Sequence, residues 1–544
     1  MSSVAIPPLR CLLRLGATGR IEVVSPYDAV TQAQLRAVRP RGRWLSGRGG
    51  GGMCWEFPLE AALALRRTLA DRFAFDPELA QWLAWMEQPL PPLPSHRELV
   101  RAAAPKELLP DGRTLMAHQR AAVRWLLARR GALLADAMGL GKTLTALVAA
   151  RAMVRLAGCR ILVLAPVGLH SHWRAEAAAL ELAIEVHSWA SPPAALPPAG
   201  TVLIADEAHY AQNGTTARSQ ALVRLARHPR LRAIWLLSGT PMKNGRPVQL
   251  FPLLAAIDHP LARDQRLYEE LFCGGHWRES GGRRVWQATG ASRLEDLRRL
   301  TRPLVLHRRK QDCLDLPPKH RRVLPVELSE AEELGFDHRL QTTVDHYRAR
   351  AARGEVRPEA ESLALLTALR RIASDYKLEA ASGLVERLLA QAEPVVVFSS
   401  FLRTADVLHH RGEQWGGSVL LTGALAPAER QRQVDRFQAG EVPLLVATYG
   451  TGGLGFTLHR ARHVVLIERP WTPGDAEQAE DRCHRIGMGQ ALTCHWLQLG
   501  VADQLVDSLI ASKAERIELV LGNRRLLLER ARLKTMVDKL LAVW

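Results

Sequence analysis

The run Leu134-Ala135-Asp136-Ala137-Met138-Gly139-Leu140-Gly141-Lys142-Thr143 constrains this chain more than any other stretch. A short apolar segment (Gly131 to Ala135) reads as a buried strand, and the Ala- and Leu-rich segment Thr143 to Val154 reads as a helix. The turn between them gathers free backbone N–H groups and a helix N-terminus around one point, an arrangement suited to phosphate oxygens. Lys142 would reach the β and γ phosphates of a nucleoside triphosphate, and the Thr143 hydroxyl would ligate magnesium. Asp136 stands where the usual pattern has glycine, and taken alone the segment also reads as a plain strand, turn and helix.

The surroundings repeat this alternation. From about residue 100 to 316, apolar strands (Ala132 to Ala135, Arg160 to Ala165, Thr201 to Ala205, Ala233 to Leu237) alternate with helical segments, the signature of a parallel sheet covered by helices. A charged, Ala/Leu-rich, helical region follows from Ser329 to Leu389. Alternation then resumes with Pro394 to Ser399, Ser418 to Thr422, Pro443 to Thr448 and His463 to Ile467. The expected fold class is α/β, with two parallel-sheet lobes at 100–325 and 391–505 and a helical insertion at 326–390. An N-terminal α+β module is expected at 1–95 and C-terminal helices at 506–544. In the N-terminal module, Arg43-Trp44-Leu45 and Cys54-Trp55-Glu56-Phe57-Pro58 flank a glycine run and predict a hairpin.

The chain has 544 residues, room for roughly three to four domains. Its 73 basic and 55 acidic residues give a formal charge of +18. That excess suits a polyanionic partner such as nucleic acid, although a solvated, arginine-rich surface would give the same sum. The seven cysteines (Cys11, Cys54, Cys159, Cys273, Cys313, Cys483, Cys494) show no close Cys-x-x-Cys pairing, so neither a disulfide framework nor a zinc ribbon is expected. With no secretory apolar core at the start and no apolar run of about 18 residues, the expected setting is soluble and intracellular, with no membrane partner. For a bacterial chain, that means the cytoplasm, in association with the nucleoid.

Several segments outside the glycine turn carry chemistry. Thr201 to Ala205 delivers Asp206-Glu207-Ala208-His209 at the carboxyl end of a strand, where ligands collect in open parallel sheets. Adjacent carboxylates there call for a cation. Asp206 would hold magnesium and Glu207 would orient and deprotonate an attacking water, while an acidic helix cap is the plain alternative. Ser238-Gly239-Thr240-Pro241 ends another strand, with Ser238 and Thr240 placed to link a nucleotide site to the opposite lobe. Gln119 has a carboxamide able to hydrogen-bond an adenine edge, or simply a place on a helix surface. In Gln478-Ala479-Glu480-Asp481-Arg482-Cys483-His484-Arg485, the two arginines lie at i, i+3. A helix would aim both across a cleft as arginine fingers, or would pair them with Glu480 and Asp481 at a surface. The segment Thr448 to Gly455, with Gly452, Gly453 and Gly455, would bring backbone amides against a phosphate or a DNA backbone.

Taken in order, these segments resemble the helicase-like ATPases of superfamily two, and specifically the Swi/Snf-type branch. Ala135 to Thr143, Asp206-Glu207-Ala208-His209-Tyr210, and Trp471-Thr472-Pro473-Gly474 ahead of Ala479 to Gly487 carry that resemblance, which covers roughly 113–500. It implies two RecA-like lobes closing on ATP and Mg2+, and an ATP-driven motor that tracks along double-stranded DNA without separating the strands. By resemblance, the cofactor contacts are Gln119, Asp136, Met138, Gly139, Leu140, Gly141, Lys142, Thr143 and Gly455. Catalysis falls to Lys142, Glu207, Arg482 and Arg485, the metal to Thr143 and Asp206, and coupling to His209, Ser238, Thr240 and Gln478. Pro166, Gly452 and Gly453 would touch DNA. The family often has Asn where Thr457 stands, and its usual Gln is displaced to Gln490.

The inserts between Leu250 and Arg322, with Trp277, Trp286 and Leu306-His307-Arg308-Arg309-Lys310, look like the compact annealing-helicase subgroup. Ser25-Pro26-Tyr27-Asp28, Arg43-Trp44 and Trp55 to Leu59 resemble the HARP module of that subgroup, which implies a preference for branched DNA. Trp44 and Trp55 read equally well as a cross-strand core pair. Two other functions stay open at this level: a strand-separating helicase, for which no wedge hairpin is evident in the sequence, and a DNA-binding scaffold with a vestigial nucleotide site. The sequence names no protein partner.

Overall fold

The computed structural model describes residues 11–15, 21–24, 28–38, 42–45, 54–57, 61–69, 73–77, 79–80 and 83, most of 92–508, and residue 520. Within 92–508 the residues outside the description are 105, 194–199, 243, 281, 354–357, 450–455, 486, 501–502 and 505.

Strands β1 (Cys11–Leu15), β2 (Ile21–Val24), β3 (Arg43–Leu45), β4 (Cys54–Phe57) and β5 (Phe73–Phe75) form a mixed sheet in the order β3-β4-β2-β1-β5. Helices Ala29–Ala37 and Ala62–Leu69 share its core, where Leu13, Ile21, Leu35, Phe57 and Leu65 are buried. Asp28 starts the first helix by accepting from Thr31 N at 2.8 Å. The expected hairpin forms, with Trp44 opposite Trp55 and their rings 5.5 Å apart. Trp55 is buried and donates to Gln32 Oε1 at 2.7 Å, whereas Trp44 stays 40% exposed, so only one of the two is a core residue.

The first lobe holds β6 (Gly131–Leu134), β7 (Arg160–Ala165), β8 (Ile184–Ser188), β9 (Thr201–Ala205) and β10 (Leu231–Leu237). The chain then makes a separate hairpin, β11 (His276–Ser280) and β12 (Arg283–Gln287), before β13 (Val305–Leu306) returns to the sheet. The order β13-β6-β10-β9-β7-β8 is parallel throughout. Helices Ala117–Leu127, Lys142–Ala157 and His170–Ala179 cover the face bearing Leu134, Val163, Ile204 and Trp235. Helices Ala217–Ala226, Phe251–Ala256 and Gln265–Phe272 cover Leu133, Leu164, Leu203 and Leu236. Burial on both faces is why the central strands read as unbroken apolar runs rather than alternating ones.

The second sheet runs β14-β19-β18-β15-β17-β16, also parallel. It comprises β14 (Lys319–Pro325), β15 (Val395–Ser399), β16 (Ser418–Leu421), β17 (Leu444–Thr448), β18 (His463–Leu466) and β19 (Leu492–Gln498). One expected boundary is corrected here. Residues 319–325, assigned to the first lobe, pair with β19 from Lys319 opposite Leu492 to Pro325 opposite Gln498. The expected insertion consists of helices Glu330–Ala352 and Pro358–Ala390 and packs with the second lobe, Ala381 and Val385 lying against Val395, Val397 and Val465. Lys377, wholly buried, fastens it by donating to the carbonyls of Ile467 (2.9 Å) and Leu497 (3.2 Å) and pairing with Asp503. A buried ammonium left without such partners would be strongly destabilising.

The expected C-terminal helices lie almost wholly outside the described residues. Among the described residues no helix is long and apolar enough to cross a membrane.

Candidate active site

The glycine turn lies between β6 and the helix Lys142–Ala157, as the sequence indicated. Gly139 (φ 83°) and Gly141 (φ 75°) occupy left-handed backbone that favours glycine. Gly141 is also the N-cap and supplies no side-chain acceptor, so the first N–H groups of a 16-residue helix point into the turn without a cap. Lys142 Nζ folds back over the loop, donating to the carbonyls of Asp136 (2.8 Å) and Ala137 (3.3 Å). Uncapped amides, a helix N-terminus and an ammonium in one loop fit a phosphate chain. Thr143, beside Lys142, is half-buried, and so are Met138 and Gly139, whereas Leu140 is buried.

Asp136 does not face that loop. Its carboxylate, 3% exposed, is gripped by the Arg308 guanidinium, with Nε at 3.0 Å from Oδ1 and Nη2 on Oδ2. Arg308 also donates to His118 O at 2.6 Å, and Ala137 N donates to Arg308 O at 3.0 Å. The glycine-to-aspartate departure therefore ties the turn to the segment after β13. Gln119 lies under the turn, its Oε1 accepting from Met116 N (2.9 Å) and its Nε2 donating to Leu140 O (3.3 Å). Both ends of the carboxamide are engaged there, and a Cβ at Gly141 would run into it.

At the end of β9, Asp206 is wholly buried, and two tryptophans hold it. Trp173 Nε1 donates to Oδ2 at 2.8 Å, and Trp189 Nε1 donates to the Asp206 carbonyl at 2.9 Å. Burial first and the neighbouring Glu207 second push the Asp206 carboxyl up to about 6. Glu207 sits at a left-handed φ of 49°, an uncommon conformation for a non-glycine residue. Burial alone would raise its carboxyl too, but His209, Lys142 and Arg482 outweigh burial and hold it below the usual range. His209 Nδ1 stands 3.1 Å from Glu207 Oε2, inside ion-pair range, yet neither atom makes a hydrogen bond. An acidic pair in this state, with one buried oxygen unsatisfied, has the donor set a divalent cation would balance.

The second lobe closes the site. The carboxylates of Glu480 and Asp481 are held by other cations, and Arg485 Nε donates to the Asp481 backbone carbonyl at 3.2 Å. Arg321 donates to both Glu480 oxygens, Lys319 stands 3.1 Å from Glu480 and Asp481, and Lys310 reaches Asp481 at 3.0 Å. The two carboxylates thus meet Lys310, Lys319 and Arg321. Arg482, wholly buried, donates from Nη1 to Phe456 O while its Nε has no partner. Burial first and Arg485 second lower its pKa, which Glu207 across the lobes supports.

The i, i+3 argument holds only in part. The helix Pro473–Cys483 ends before Arg485, which leaves in a turn, its Nη1 on Thr457 Oγ1 at 2.8 Å. It still borders the glycine turn, because a Cβ at Gly139 would lie 3.9 Å from Arg485 Cγ. Thr457, the departure from the family's Asn, thus helps to hold Arg485, as does the Asp481 carbonyl.

Ser238 and Thr240 are buried at the end of β10. Between them, Gly239 lies so close to the turn that a Cβ would stand 2.8 Å from Met138 Cγ and 3.6 Å from Lys142 Nζ. Gln478 is buried within the helix Pro473–Cys483. Pro166 leads from β7 into the short turn Val167–Leu169. Gly452, Gly453 and Gly455 lie outside the described residues. Two residues that sequence reasoning passed over belong here, Trp173 and Trp189 around Asp206, and so do Arg308 on Asp136 and Lys310 between the lobes, which it read only as part of an insert. No local pattern signals them, since each acts on a partner far along the chain.

Residues 118–191 and 199–378 match the SNF2-related domain, and 377–487 match the helicase conserved C-terminal domain. The DNA annealing helicase and endonuclease ZRANB3 of Mus musculus is 30% identical over 345 residues, 59% of this chain and 30% of that protein. The putative ATP-dependent helicase/translocase YwqA of Bacillus subtilis is 26% identical over 483 residues, 77% of this chain and 50% of that one. This chain thus spans half or less of these relatives' length. A solved structure, the Sulfolobus solfataricus SWI2/SNF2 ATPase core in complex with dsDNA, aligns with 77% of this chain and 99% of that one at 19% identity, with a TM-score of 0.34. With an SNF2-related domain and a helicase C-terminal domain joined in the order its motifs indicated, the chain belongs to the SNF2-related helicase-like ATPases.

Proposed function

We propose that this protein is an ATP-dependent translocase on double-stranded DNA that remodels branched or protein-bound DNA. The observation that carries the reading is the convergence of the Lys142 turn, the Asp206–Glu207 pair and Arg482 at one place between two lobes. Lys142 and the uncapped amides of its helix would bind the phosphates of ATP. Mg2+, held by Thr143 and Asp206, would supply charge neutralisation to those phosphates. Glu207, kept ionised by His209 and Lys142, would take the proton of the attacking water. Arg482 and Arg485, entering from the second lobe, would neutralise charge that develops in the transition state, so hydrolysis would depend on lobe closure. The formal charge of +18 favours a polyanionic track. Branched DNA as the preferred track, and a HARP-like role for the N-terminal module, belong to the same proposal.

The strand-separating reading draws support from one observation, the β11–β12 hairpin, which the sequence did not reveal as a wedge candidate. A pair of substrates decides between them. The translocase should displace a third strand from a triplex while leaving a plain tailed duplex paired, and the Glu207→Gln variant should displace no strand from either. Efficient ATP-dependent release of a strand from the tailed duplex would replace the translocase reading with a conventional helicase.

A further inference from the structure

The hairpin between helices Gln265–Phe272 and Leu294–Thr301 stands apart from both sheets, its base clamped and its tip free. At the base, Trp277 and Trp286 face each other across the strands, rings 5.6 Å apart, and Arg266 stacks on both, 3.5 Å from the Trp286 centroid and 4.7 Å from that of Trp277. Trp286 Nε1 donates to Glu269 Oε2 at 2.6 Å, and Ser292 Oγ donates to Leu271 O at 2.7 Å. At the other end, Gly282 (φ 72°) has open space where a Cβ would be. Each arm has five residues, so the ribbon extends about 17 Å from its clamp.

The charged side chains on this ribbon are mostly of one sign. Arg278, Arg283 and Arg284 are exposed and have no ion pair among the described residues, against a single acid, Glu279. Arg278 and Val285 face each other across the strands, and Ser280 faces Arg283, so strand alternation puts Arg278, Arg283 and Val285 on one face. Val285 is 51% exposed and Trp277 50%. Charge on an open edge also discourages strand pairing, but that purpose needs no bias toward one sign. A ribbon held only for stability would bury its apolar residues.

We propose that β11–β12 is a DNA-docking ribbon that contacts the sugar–phosphate backbone of a duplex through Arg278 and Arg283, which share one face. A two-stranded ribbon is of a size the major groove admits, and guanidinium groups pair with phosphate oxygens. This rests on DNA being the track of the motor, and adds to it a contact made by no segment singled out in the motor motifs. The test is a direct one. Binding of a fluorescein-labelled blunt duplex is measured against salt for the wild-type protein, for Arg278→Ala/Arg283→Ala, and for the same two positions changed to Lys. Each lost phosphate contact flattens the log–log slope by about 0.9, so the alanine variant should lose up to about 1.8 and the lysine variant little.

The alanine variant should also need more duplex for half-maximal ATPase stimulation, with basal hydrolysis and the rate at saturating duplex unchanged. Arg283→Ala alone, a milder change, should give about half of the slope effect. An alanine variant with wild-type slope and wild-type half-maximal concentration would overturn the ribbon proposal. A wild-type enzyme that binds duplex without any stimulation of hydrolysis would instead overturn the motor reading, and the salt slopes would still decide for the ribbon.

Discussion

Gly474 of the second lobe meets Thr240 of the first so closely that a Cβ on Gly474 would stand 2.7 Å from Thr240 Cγ2. Thr240 ends the strand whose Gly239 abuts Met138 and Lys142, so the contact joins the glycine turn to the N-terminal turn of the helix bearing Arg482. Gly474→Ala should hold the lobes apart and reduce DNA-stimulated hydrolysis at least tenfold, equivalent to about 1.4 kcal/mol, with ATP affinity little changed. Thr240→Ser removes the offending methyl and should restore much of the rate in the Gly474→Ala background. An alanine variant with normal stimulation would show that the contact carries no coupling.

Arg308→Ala would strand the buried Asp136 carboxylate. Breaking one side of a buried pair costs about 3–5 kcal/mol, more than the pair adds relative to neutral residues. The single variant should therefore unfold at lower temperature than Asp136→Ala/Arg308→Ala, as read from thermal melts. A double variant no more stable than the single would place the stabilisation in the Arg308–His118 contact instead.

Arg482→Ala and Arg485→Ala should each lower the maximal rate of hydrolysis while leaving nucleotide affinity nearly intact, because both side chains reach the site from the second lobe. Arg482, whose charge supports Glu207, should show the larger loss. Weakened ATP binding at an unchanged maximal rate would assign them to ground-state binding.

Acid should destabilise the fold at pH values above the range in which ordinary carboxylates titrate. Burial and nearby arginines lower His228 to about 4, and burial with His463 and Arg322 beside it does the same to His495. Both stay neutral in the fold while the unfolded chain takes up protons near about 6.5, so their contribution is whole above that pH. It is lost as pH falls toward about 4, at about 1.4 kcal/mol per pH unit for each histidine. Melting temperatures between pH 7.5 and 5 should fall, and less steeply in His495→Gln. An equal slope in that variant would remove His495 from the account.

The central strands and the chemistry at their ends were legible because β6, β9, β10, β15 and β17 are buried on both faces and so read as apolar runs ending in Asp136, Asp206, Ser238, Ser399 and Thr448. Edge strands carry no such signal. β14, Lys-His-Arg-Arg-Val-Leu-Pro, is mostly exposed and reads as a charged loop, which is why the lobe boundary fell too late. β8 is half-exposed in the same way. The hairpin had a local mark, Gly281-Gly282 between two tryptophan-bearing arms, that two-residue turns favour. Arg308 on Asp136 and Lys310 on Asp481 had none, being pairs made 172 and 171 residues apart by the fold. Arg485 was placed one turn too far along a helix because its end at Cys483 lacks a glycine stop until Gly487.

The most direct measurement of the account is steady-state ATP hydrolysis with no nucleic acid, duplex DNA, single-stranded DNA and RNA, with Lys142→Ala and Glu207→Gln alongside. The account predicts low basal turnover, strong stimulation by duplex, weaker stimulation by single strands or RNA, and near-silence in both variants, with Glu207→Gln still binding ATP. Turnover indifferent to duplex, or either variant within a few-fold of wild type, would contradict it.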